Sequence, residues 1–202
     1  MRAIDAVIFD VGGVLYDWNI RYLYEKLIDD PDRLDWFLEN VVTTDWHFQH
    51  DAGRHSRETV PERVAMFPDQ RALIELYPAR WLETVGDPIP GMIELVSRLA
   101  DAGLRLFGIT NFSDEFWAMF RPTAPVFDRF EDIVVSGTER IMKPDPAIFA
   151  LARQRFQVAP TRAIFVDDRS DNVKAAVAAG YLGHHFCGTE GLAERLAALG
   201  IC

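Results

Sequence analysis

The sequence predicts an α/β protein, built as a three-layer, doubly wound parallel sheet with a small helical cap inserted after the first strand. Short apolar runs alternate with helical patterns along the second half of the chain, and an aromatic-rich stretch near the beginning breaks that alternation. Alternation of strand and helix implies right-handed crossovers, which place helices on both faces of a parallel sheet. We therefore expect one α/β core that carries an insert.

Five short runs are predicted to be the buried strands of this sheet. Both faces of each run are largely apolar, as expected where helices cover a sheet on both sides. The runs are Ala6–Phe9, Leu104–Ile109, Ile133–Val135, Ala163–Val166 and Leu182–Phe186.

Helical patterns separate the later runs. In the first of them Ile93, Val96 and Leu99 recur with helical periodicity, and Gly103 follows as a stop signal. The predicted helices of the core are Gly91–Ala102, Pro146–Phe156, Asn172–Ala179 and Gly188–Leu199.

The stretch of residues 17–88 breaks this alternation. It shows no convincing buried strand, but it has helical patterns at Tyr22–Ile28 and Leu34–Val42 and holds four of the five tryptophans. We therefore predict that it forms a helical cap domain, and that residues 1–16 and 89–202 form the α/β catalytic core. A helical subdomain with only a packing role is the alternative, because aromatic residues at helical spacing are more often core than site.

The composition excludes several classes of protein. The 202 residues are 49% hydrophobic and carry a formal net charge of −10, which repels nucleic acid and anionic membrane surfaces. No apolar run reaches the roughly 18 residues of a membrane span, and Asp5 in the first segment argues against a signal peptide. Cys187 and Cys202 form no disulfide framework. We expect a cytoplasmic protein that binds neither nucleic acid nor membranes.

Polar side chains follow several of the predicted strands directly. Asp10, Thr110 and the pair Asp167–Asp168 each come after an apolar run, and Lys143 lies a few residues after another. The carboxyl ends of parallel strands share one edge of the sheet, where ligands bind, so these residues are expected to meet. Any one of them alone is explained as a helix cap or a turn residue. Two adjacent acids, however, repel each other unless a cation or a donor compensates them.

Four motifs occur in order along the whole chain. They are FDVGGVLYD, ITNFS, the pair Lys143-Pro144 and FVDDRSDN, with the helical insert between the first and the second. The chain thereby resembles the haloacid dehalogenase superfamily, and within it the branch of small-molecule phosphatases that includes sugar-phosphate phosphatases. The resemblance implies a Rossmann-type sheet with a mobile cap, and a magnesium-dependent hydrolase that acts on a small phosphate monoester.

The resemblance also assigns roles to residues of the first and fourth motifs. Asp10 would be the nucleophile and would form an aspartyl-phosphate that water later cleaves. Asp10, Asp168 and the backbone carbonyl of Gly12 would bind Mg²⁺, a hard cation that prefers oxygen ligands. Asp167 and Asn172 would orient the ligands and waters of the metal.

The second and third motifs supply the expected phosphate contacts. By the same resemblance, Thr110 would donate a hydrogen bond to a phosphoryl oxygen, helped by the amide of Asn111. Lys143 would place a positive charge beside Asp10 and the phosphate. Together with the metal, these groups would neutralise the anionic oxygens that otherwise resist attack.

Substrate choice is expected to depend on cap side chains that face the cleft. The candidate contacts are Trp18, Arg21, Trp46, His47 and Arg54. His47 and His50 are spaced to share one face of a helix, so a contact with substrate is one interpretation and a surface helix face is the other. The expected partner is a small phosphorylated metabolite, and the protein is expected to be a monomer or a homodimer.

The chain departs from the phosphatase pattern at Gly12. Phosphatases of the superfamily usually carry a second aspartate there, which protonates the leaving oxygen and then activates water; such help is worth roughly 10²–10⁴-fold. The chain is therefore a slow phosphatase or one that favours good leaving groups, or it uses another acid such as Asp17, His47 or His50, or it catalyses another reaction. A cap-hinge role, bonded to backbone, explains Asp17 equally well.

Two other functions remain open on these motifs. A 2-haloacid dehalogenase also uses an aspartate nucleophile and lacks the second acid, but it needs no metal and typically lacks an acid pair such as Asp167–Asp168. A catalytically weak module that binds a phosphorylated ligand is the second alternative.

Overall fold

The computed structural model of the chain describes residues 4–201. In that range five strands form a parallel sheet in the order β5-β4-β1-β6-β7, with β1 at its centre, and β2 and β3 form a separate antiparallel pair. The strands are β1 (Ala6–Phe9), β2 (Tyr16–Trp18), β3 (Val85–Pro88), β4 (Arg105–Thr110), β5 (Asp132–Val135), β6 (Ala163–Asp167) and β7 (Leu182–His185).

Helices α1 to α5 lie in the insert, and α6 to α11 alternate with the strands of the core. The helices are α1 (Arg21–Tyr24), α2 (Pro31–Asn40), α3 (Thr44–Asp51), α4 (Ser56–Met66), α5 (Arg71–Arg80), α6 (Met92–Asp101), α7 (Asp114–Phe120), α8 (Ser136–Glu139), α9 (Pro146–Phe156), α10 (Ser170–Ala178) and α11 (Thr189–Ala198). No helix between residues 4 and 201 has the length and apolar character needed to cross a membrane.

The central strand shows how the sheet is covered on both sides. Ala6 and Ile8 belong to one apolar cluster with residues of α9 and α10, whereas Val7 and Phe9 belong to a second cluster with residues of α6 and α11. This division follows from the two-residue period of a strand, which sends successive side chains to opposite faces. The predicted three-layer α/β architecture is therefore confirmed.

The core strands lie within one residue of their predicted ends. The predicted helix Gly91–Ala102 is α6, and Pro146–Phe156 is α9. The sequence did not predict α7 and α8, because each is too short to show a periodic apolar pattern. α8 begins directly after β5 and α7 begins a short loop after β4, so both start near the carboxyl edge of the sheet.

The insert differs from the sequence prediction because it contains strands. β2 and β3 lie at its two ends and pair with each other, with Tyr16 opposite Pro88 and Trp18 opposite Val85. Their residues are half-buried or exposed, so no buried-strand pattern marks them. The helix predicted at Tyr22–Ile28 is shorter in the structure, where it is α1 and spans Arg21–Tyr24.

Aromatic and polar contacts join the insert to the core. Trp81 stacks on Phe116 of α7, with ring centroids 4.9 Å apart and an interplanar angle of 5°. The hydroxyl of Ser136, which follows β5, donates a hydrogen bond of 2.7 Å to the backbone carbonyl of Asp51. These contacts fix the end of α3 at the carboxyl edge of the sheet. The limits of the cap as a domain stay a prediction.

Candidate active site

Acidic side chains from two neighbouring strands meet at the carboxyl edge of the sheet. Asp10 follows β1, and Asp167 and Asp168 stand at the end of β6, which pairs with β1. Each of the three residues offers a carboxylate oxygen within 4.8 Å of the others. The predicted convergence of these carboxylates is therefore present in the structure.

Lys143 lies between two of these carboxylates and is fully buried. Its Nζ is 2.8 Å from Asp10 Oδ2 and donates a hydrogen bond of 2.7 Å to Asp167 Oδ2. Burial acts to lower the pKa of Lys143, but the two carboxylates outweigh it and the pKa is raised. Burial likewise raises the pKa of Asp10, against the ammonium of Lys143. The lysine thus stays charged and supports an ionised Asp10.

A hydrogen-bond network holds Asp167 in place. The side-chain amide of Asn172 donates to Asp167 Oδ1 at 3.0 Å, and the backbone N–H of Arg169 donates to the same oxygen at 2.8 Å. With Lys143 on the other oxygen, Asp167 has both oxygens engaged. The Oδ1 atom of Asn172 is buried and has no hydrogen-bond partner within residues 4–201. It is therefore available to a ligand or to a water at the acid cluster.

Thr110, the last residue of β4, and Asn111, which follows it, make different contacts. The side chain of Asn111 donates to the Lys143 carbonyl at 2.9 Å and accepts from the Lys143 backbone N–H at 2.8 Å. The side-chain amide therefore positions the lysine. Asn111 also lines the cleft, and the substrate contact predicted for it stays a prediction. The hydroxyl of Thr110, by contrast, is buried and lacks a partner in the described chain, so it can donate to a phosphoryl oxygen.

The turn after β1 depends on Gly13 more than on Gly12. Gly13 has a φ of +73°, and a Cβ there would lie 2.7 Å from Asp168 Oδ2. Glycine at this position therefore permits both the left-handed backbone and the close approach of the carboxylate. A Cβ at Gly12 would meet no atom of the described chain within 4 Å, although Gly12 does line the cleft. Partial desolvation and the neighbouring Asp167 raise the pKa of Asp168.

A cleft of about 400 Å³ opens above the acid cluster between core and cap. Asp10, Lys143 and Asp168 form its polar floor. Aromatic side chains supply much of the remaining wall. They are Tyr16, Trp18, Phe48, Trp81, Phe112 and Phe120. The volume matches that of small-molecule sites, which commonly span about 300–1,000 Å³.

His47 lines this cleft, but its ring is held by cap residues. It packs against Trp18, with ring centroids 4.5 Å apart, and its Nδ1 makes a hydrogen bond of 2.7 Å with the Tyr77 hydroxyl. Burial, with His50 nearby, holds the pKa of His47 well below its usual value. The ring is therefore neutral, and its Nε2 is 3.5 Å from Asp51 Oδ1.

Asp51, which the sequence did not single out, is a buried carboxyl in the same cleft. Burial raises its pKa to about 7; the backbone N–H of Ser113 and the charge of Lys143 act to lower it, whereas the charge of Asp10 raises it further. Its Oδ1 has no hydrogen-bond partner within residues 4–201. A signal was available, because Asp51 follows His47 by one helical turn and so shares its helix face.

Several predicted cap contacts lie outside the residues that line this cleft. Arg21 pairs with Asp35, Arg54 pairs with Glu62, and both arginines are on the surface of the insert. These charges are satisfied within the cap. The prediction that Arg21 and Arg54 contact the substrate is therefore wrong.

Two aromatic candidates are also explained by packing. Trp46 is buried against Tyr77, and His50 Nε2 makes a 2.7 Å hydrogen bond with the Thr59 hydroxyl. His47 and His50 do share one helix face, but that face is buried and not solvated. Asp17 lines the cleft and accepts a hydrogen bond from the Tyr22 hydroxyl, a side-chain partner where the sequence suggested backbone.

The acid cluster fits a divalent cation. Carboxylate oxygens from Asp10, Asp167 and Asp168 lie together, and the unpartnered Asn172 oxygen is buried nearby. Hard cations such as Mg²⁺ select this type of oxygen donor and retain several waters. Asp167 is held by Lys143, Asn172 and Arg169. Asp10 and Asp168, by contrast, line the cleft, so these two are the carboxylates best placed to bind a metal.

The fold and the site together define a hydrolase of the α/β class, with an acidic cluster and a buried lysine beneath an inserted cap. The sequence model of the haloacid dehalogenase-like hydrolases matches residues 4–180, and the chain belongs to that family.

Similar proteins include two phosphatases that the chain covers over most of their length. A phosphoglycolate phosphatase of Thiobacillus denitrificans is 31% identical, over 88% of this chain and 80% of that protein. The sesquiterpene phosphatase astK of Aspergillus oryzae is 26% identical, over 89% and 88%. Acyl-CoA dehydrogenase family member 10 of Mus musculus is 31% identical over 89% of this chain, which spans 17% of the mouse protein. Two of these three relatives are named as phosphatases.

The fold is shared with a haloacid dehalogenase family enzyme of Bacteroides thetaiotaomicron, solved in complex with magnesium and inorganic phosphate. The two structures have a TM-score of 0.71 and 22% sequence identity, and the alignment covers 90% of this chain and 93% of that one. At 22% sequence identity, this similarity shows a shared fold only.

Proposed function

We propose that the chain is a magnesium-dependent phosphatase that hydrolyses a small phosphate monoester through an aspartyl-phosphate on Asp10. The observation that carries this proposal is the buried Lys143, which bridges Asp10 and Asp167 at the carboxyl edge of the sheet. A buried lysine beside a carboxylate favours the ionised form against the effect of burial, and nucleophilic attack requires that form. The cytoplasm is the proposed location.

In the first step a carboxylate oxygen of Asp10 attacks phosphorus and the bond to the leaving oxygen breaks. Asp10 is oriented for this by two donors: the Val11 N–H at 2.7 Å from Oδ1 and Lys143 Nζ at 2.8 Å from Oδ2. The unpartnered Thr110 hydroxyl would donate to a phosphoryl oxygen. In the second step water attacks the phosphorus of the aspartyl-phosphate and returns Asp10.

The charge of the site supports a role for a cation. Three carboxylates face one ammonium at Lys143, so the fully ionised cluster is net negative. A phosphate monoester carries about −1.5 to −2 charges at neutral pH and would be repelled. Asp10, Asp168 and the backbone carbonyl of Gly12 would hold Mg²⁺, which neutralises charge on the phosphoryl oxygens and on the nucleophile.

The shape of the cleft supports a small substrate with a largely apolar organic part. Trp18 and Trp81 line the cleft. The indole N–H of Trp18 is buried with no acceptor among residues 4–201. Such groups favour a hydrophobic body that carries an occasional oxygen. A sesquiterpene phosphatase is among the relatives, which fits this composition. We propose a small phosphorylated metabolite as the partner, bound by a monomer or a homodimer.

A phosphatase screen with and without Mg²⁺ tests the proposal. The wild-type chain is expected to release phosphate from p-nitrophenyl phosphate and from some small phosphate esters, and to lose this activity in EDTA. Asp10→Asn should lose roughly 10⁴-fold or more of the activity, as expected for removal of a nucleophile. Asp69→Asn, which changes an exposed carboxylate of the insert, is the control that should retain it.

Two results would overturn the proposal in favour of the alternatives. Halide release from 2-chloropropionate that survives EDTA would indicate a dehalogenase. Binding of phosphate esters without turnover of any, including p-nitrophenyl phosphate, would indicate a module that binds a phosphorylated ligand.

A further inference from the structure

A phosphate ester leaves behind a strongly basic oxygen unless a proton reaches it as the bond breaks. Position 12, two residues after the nucleophile, is glycine and supplies no proton. The carboxyls that line the cleft are Asp10, Asp17, Asp51 and Asp168. Asp10 is needed as the nucleophile and Asp168 is the best-placed metal ligand, which leaves the two carboxyls contributed by the cap.

We propose that Asp51, at the end of cap helix α3, is the general acid that protonates the leaving oxygen and the general base that then activates water. The assignment rests on the phosphatase function proposed above. Asp51 is 3% exposed, lines the same cleft as Asp10, and its Oδ1 is buried without a hydrogen-bond partner in the described chain. A buried carboxyl oxygen left unpaired costs stability, so an acceptor or donor from a ligand is its expected complement.

The position of Asp51 is set by the core and not by the cap alone. Ser136, directly after β5, donates a 2.7 Å hydrogen bond to the Asp51 carbonyl, and the same hydroxyl accepts from the Phe112 N–H at 2.9 Å. The backbone N–H of Ser113 also acts on the Asp51 carboxyl. The carboxyl is thereby tied to the residues that follow β4 and β5, at the carboxyl edge of the sheet where Asp10 also lies, and proton transfer requires such a fixed geometry.

The neighbours of Asp51 suit a group that must be protonated first and ionised afterwards. Burial raises its pKa to about 7, Asp10 raises it further, and Lys143 opposes. His47 on the same helix presents a neutral ring whose Nε2 is 3.5 Å from Oδ1, and the buried Tyr77 of α5 stays protonated because its pKa is raised well above the usual range. A pKa near the working pH serves an acid and a base equally.

The other cleft groups are less suited to this task. Asp17 is engaged by the Tyr22 hydroxyl. His47 is neutral and its Nδ1 is engaged by the Tyr77 hydroxyl, so the ring is a poor acid. In the proposed cycle, the Asp51 proton moves to the leaving oxygen as the Asp10–phosphorus bond forms. The Asp51 carboxylate then takes a proton from the water that attacks phosphorus. The bond between phosphorus and Asp10 breaks, which releases phosphate and restores the Asp10 carboxylate and the protonated Asp51.

The test compares two substrates that differ in their need for an acid. Phenyl phosphate releases a basic phenolate, whereas p-nitrophenyl phosphate of similar shape releases a much weaker base. Asp51→Asn should lower kcat/KM for phenyl phosphate by roughly 10²-fold or more, and should change kcat/KM for p-nitrophenyl phosphate far less. With p-nitrophenyl phosphate the variant should also show a burst of nitrophenolate, because the loss of the base slows cleavage of the aspartyl-phosphate.

Asp17→Asn is the matched control, since it changes the other cap carboxyl of the cleft. It should alter kcat/KM for the two substrates by the same factor. Asp51→Ala provides a second variant, and thermal unfolding of each protein in Mg²⁺ shows that it is folded. Equal losses of kcat/KM on both substrates in the Asp51 variants, no loss on either, or a selective loss in Asp17→Asn would overturn the assignment. The proposed function would survive these results as long as Asp10→Asn abolishes both activities.

Discussion

The two walls of the cleft differ in how their charged groups are matched. On the core wall Lys143 satisfies Asp10 and Asp167, and neighbouring hydrogen bonds complete the network. On the cap wall Asp51 is buried, yet its Oδ1 lacks a partner among the residues described, and so does the indole N–H of Trp18. Buried polar groups are normally paired. The core wall is therefore preorganised around the nucleophile, whereas the cap wall has groups that a substrate would satisfy.

The core wall also contains buried polar atoms that a bound ligand would satisfy. The Thr110 hydroxyl and the Asn172 Oδ1 are buried without partners in the described part of the chain, and both are near the acid cluster. Their expected complements are the phosphoryl oxygens and the waters of the metal. Under the proposed function, the floor of the cleft would bind the phosphoryl group and the cap wall would bind the leaving group.

Removal of Lys143 is expected to have the largest effect, because it breaks the core network. Lys143→Met leaves Asp10 and Asp167 buried without a counter-charge. Loss of one partner from a buried ion pair costs about 3–5 kcal/mol of unfolding free energy, and loss of the charge at the phosphate should lower kcat by roughly 10²–10³-fold. Urea unfolding and a phosphatase assay measure the two effects. Lys174→Met, on the exposed face of α10, is the control, and a comparable loss there would contradict the prediction.

The pH dependence of stability tests the unmatched charge of the cap wall. Burial raises the pKa of Asp51 from 3.8 to about 7, so its contribution to stability is full below pH 3.8 and is lost as the pH rises through 7. Asp51→Asn has no such ionisation. The unfolding free energy of the variant minus that of the wild type should therefore increase by up to about 4 kcal/mol from acid to alkaline pH. Urea unfolding across this pH range measures the difference, and a flat difference would show that Asp51 titrates normally.

Gly13→Ala is expected to weaken the metal site. The new Cβ meets Asp168 Oδ2 at 2.7 Å in a backbone with φ of +73°. The left-handed conformation costs about 1–2 kcal/mol, and displacement of the carboxylate should reduce Mg²⁺ affinity by roughly 10–100-fold. Mg²⁺ titration of the phosphatase activity measures this. Gly103 also has a left-handed φ, but a Cβ there would meet no described atom within 4 Å. Gly103→Ala should therefore lower stability without changing Mg²⁺ affinity. Equal Mg²⁺ affinities in the two variants would show that the contact between position 13 and Asp168 does not matter for the metal.

Trp18→Phe is expected to have the smallest effect, since it removes one indole N–H and preserves most of the aromatic wall. If that N–H donates to the substrate, KM should rise by a factor that corresponds to about 1 kcal/mol. Thermal stability should change little, because the N–H has no partner in the described chain. Steady-state kinetics measures KM for p-nitrophenyl phosphate and for the small phosphate ester that the wild-type chain hydrolyses fastest. A rise confined to that small ester indicates a contact with its organic part.

The core wall was predictable from the sequence because its residues are fixed by strand ends. Asp10, Thr110 and Asp168 each follow an apolar run, and a parallel sheet brings such positions to one edge whatever the length of chain between them. The fold class followed from the same alternation. The role of the Asn111 side chain was not predictable, because its pairing with the backbone of Lys143 depends on the path of a loop.

The cap wall was less predictable because its geometry depends on docking of the insert. The spacing in α3 puts Asp51 on the same helix face as His47, but it does not show that this face meets the carboxyl edge of the sheet. The contact with Ser136 decides that. Arg21 and Arg54 carry the charge expected of phosphate contacts, but partners within the insert hold them. Side chains on an inserted cap are therefore better assigned after the fold is known.

Mass spectrometry of the acid-quenched enzyme tests the central claim most directly. The wild-type chain, mixed with Mg²⁺ and p-nitrophenyl phosphate and quenched within a turnover, should carry a phosphoryl group on the peptide that contains Asp10. The signal should be stronger in Asp51→Asn and absent in Asp10→Asn. Turnover without any phosphoryl group on Asp10, or with the group on another residue, would contradict the proposed role of Asp10.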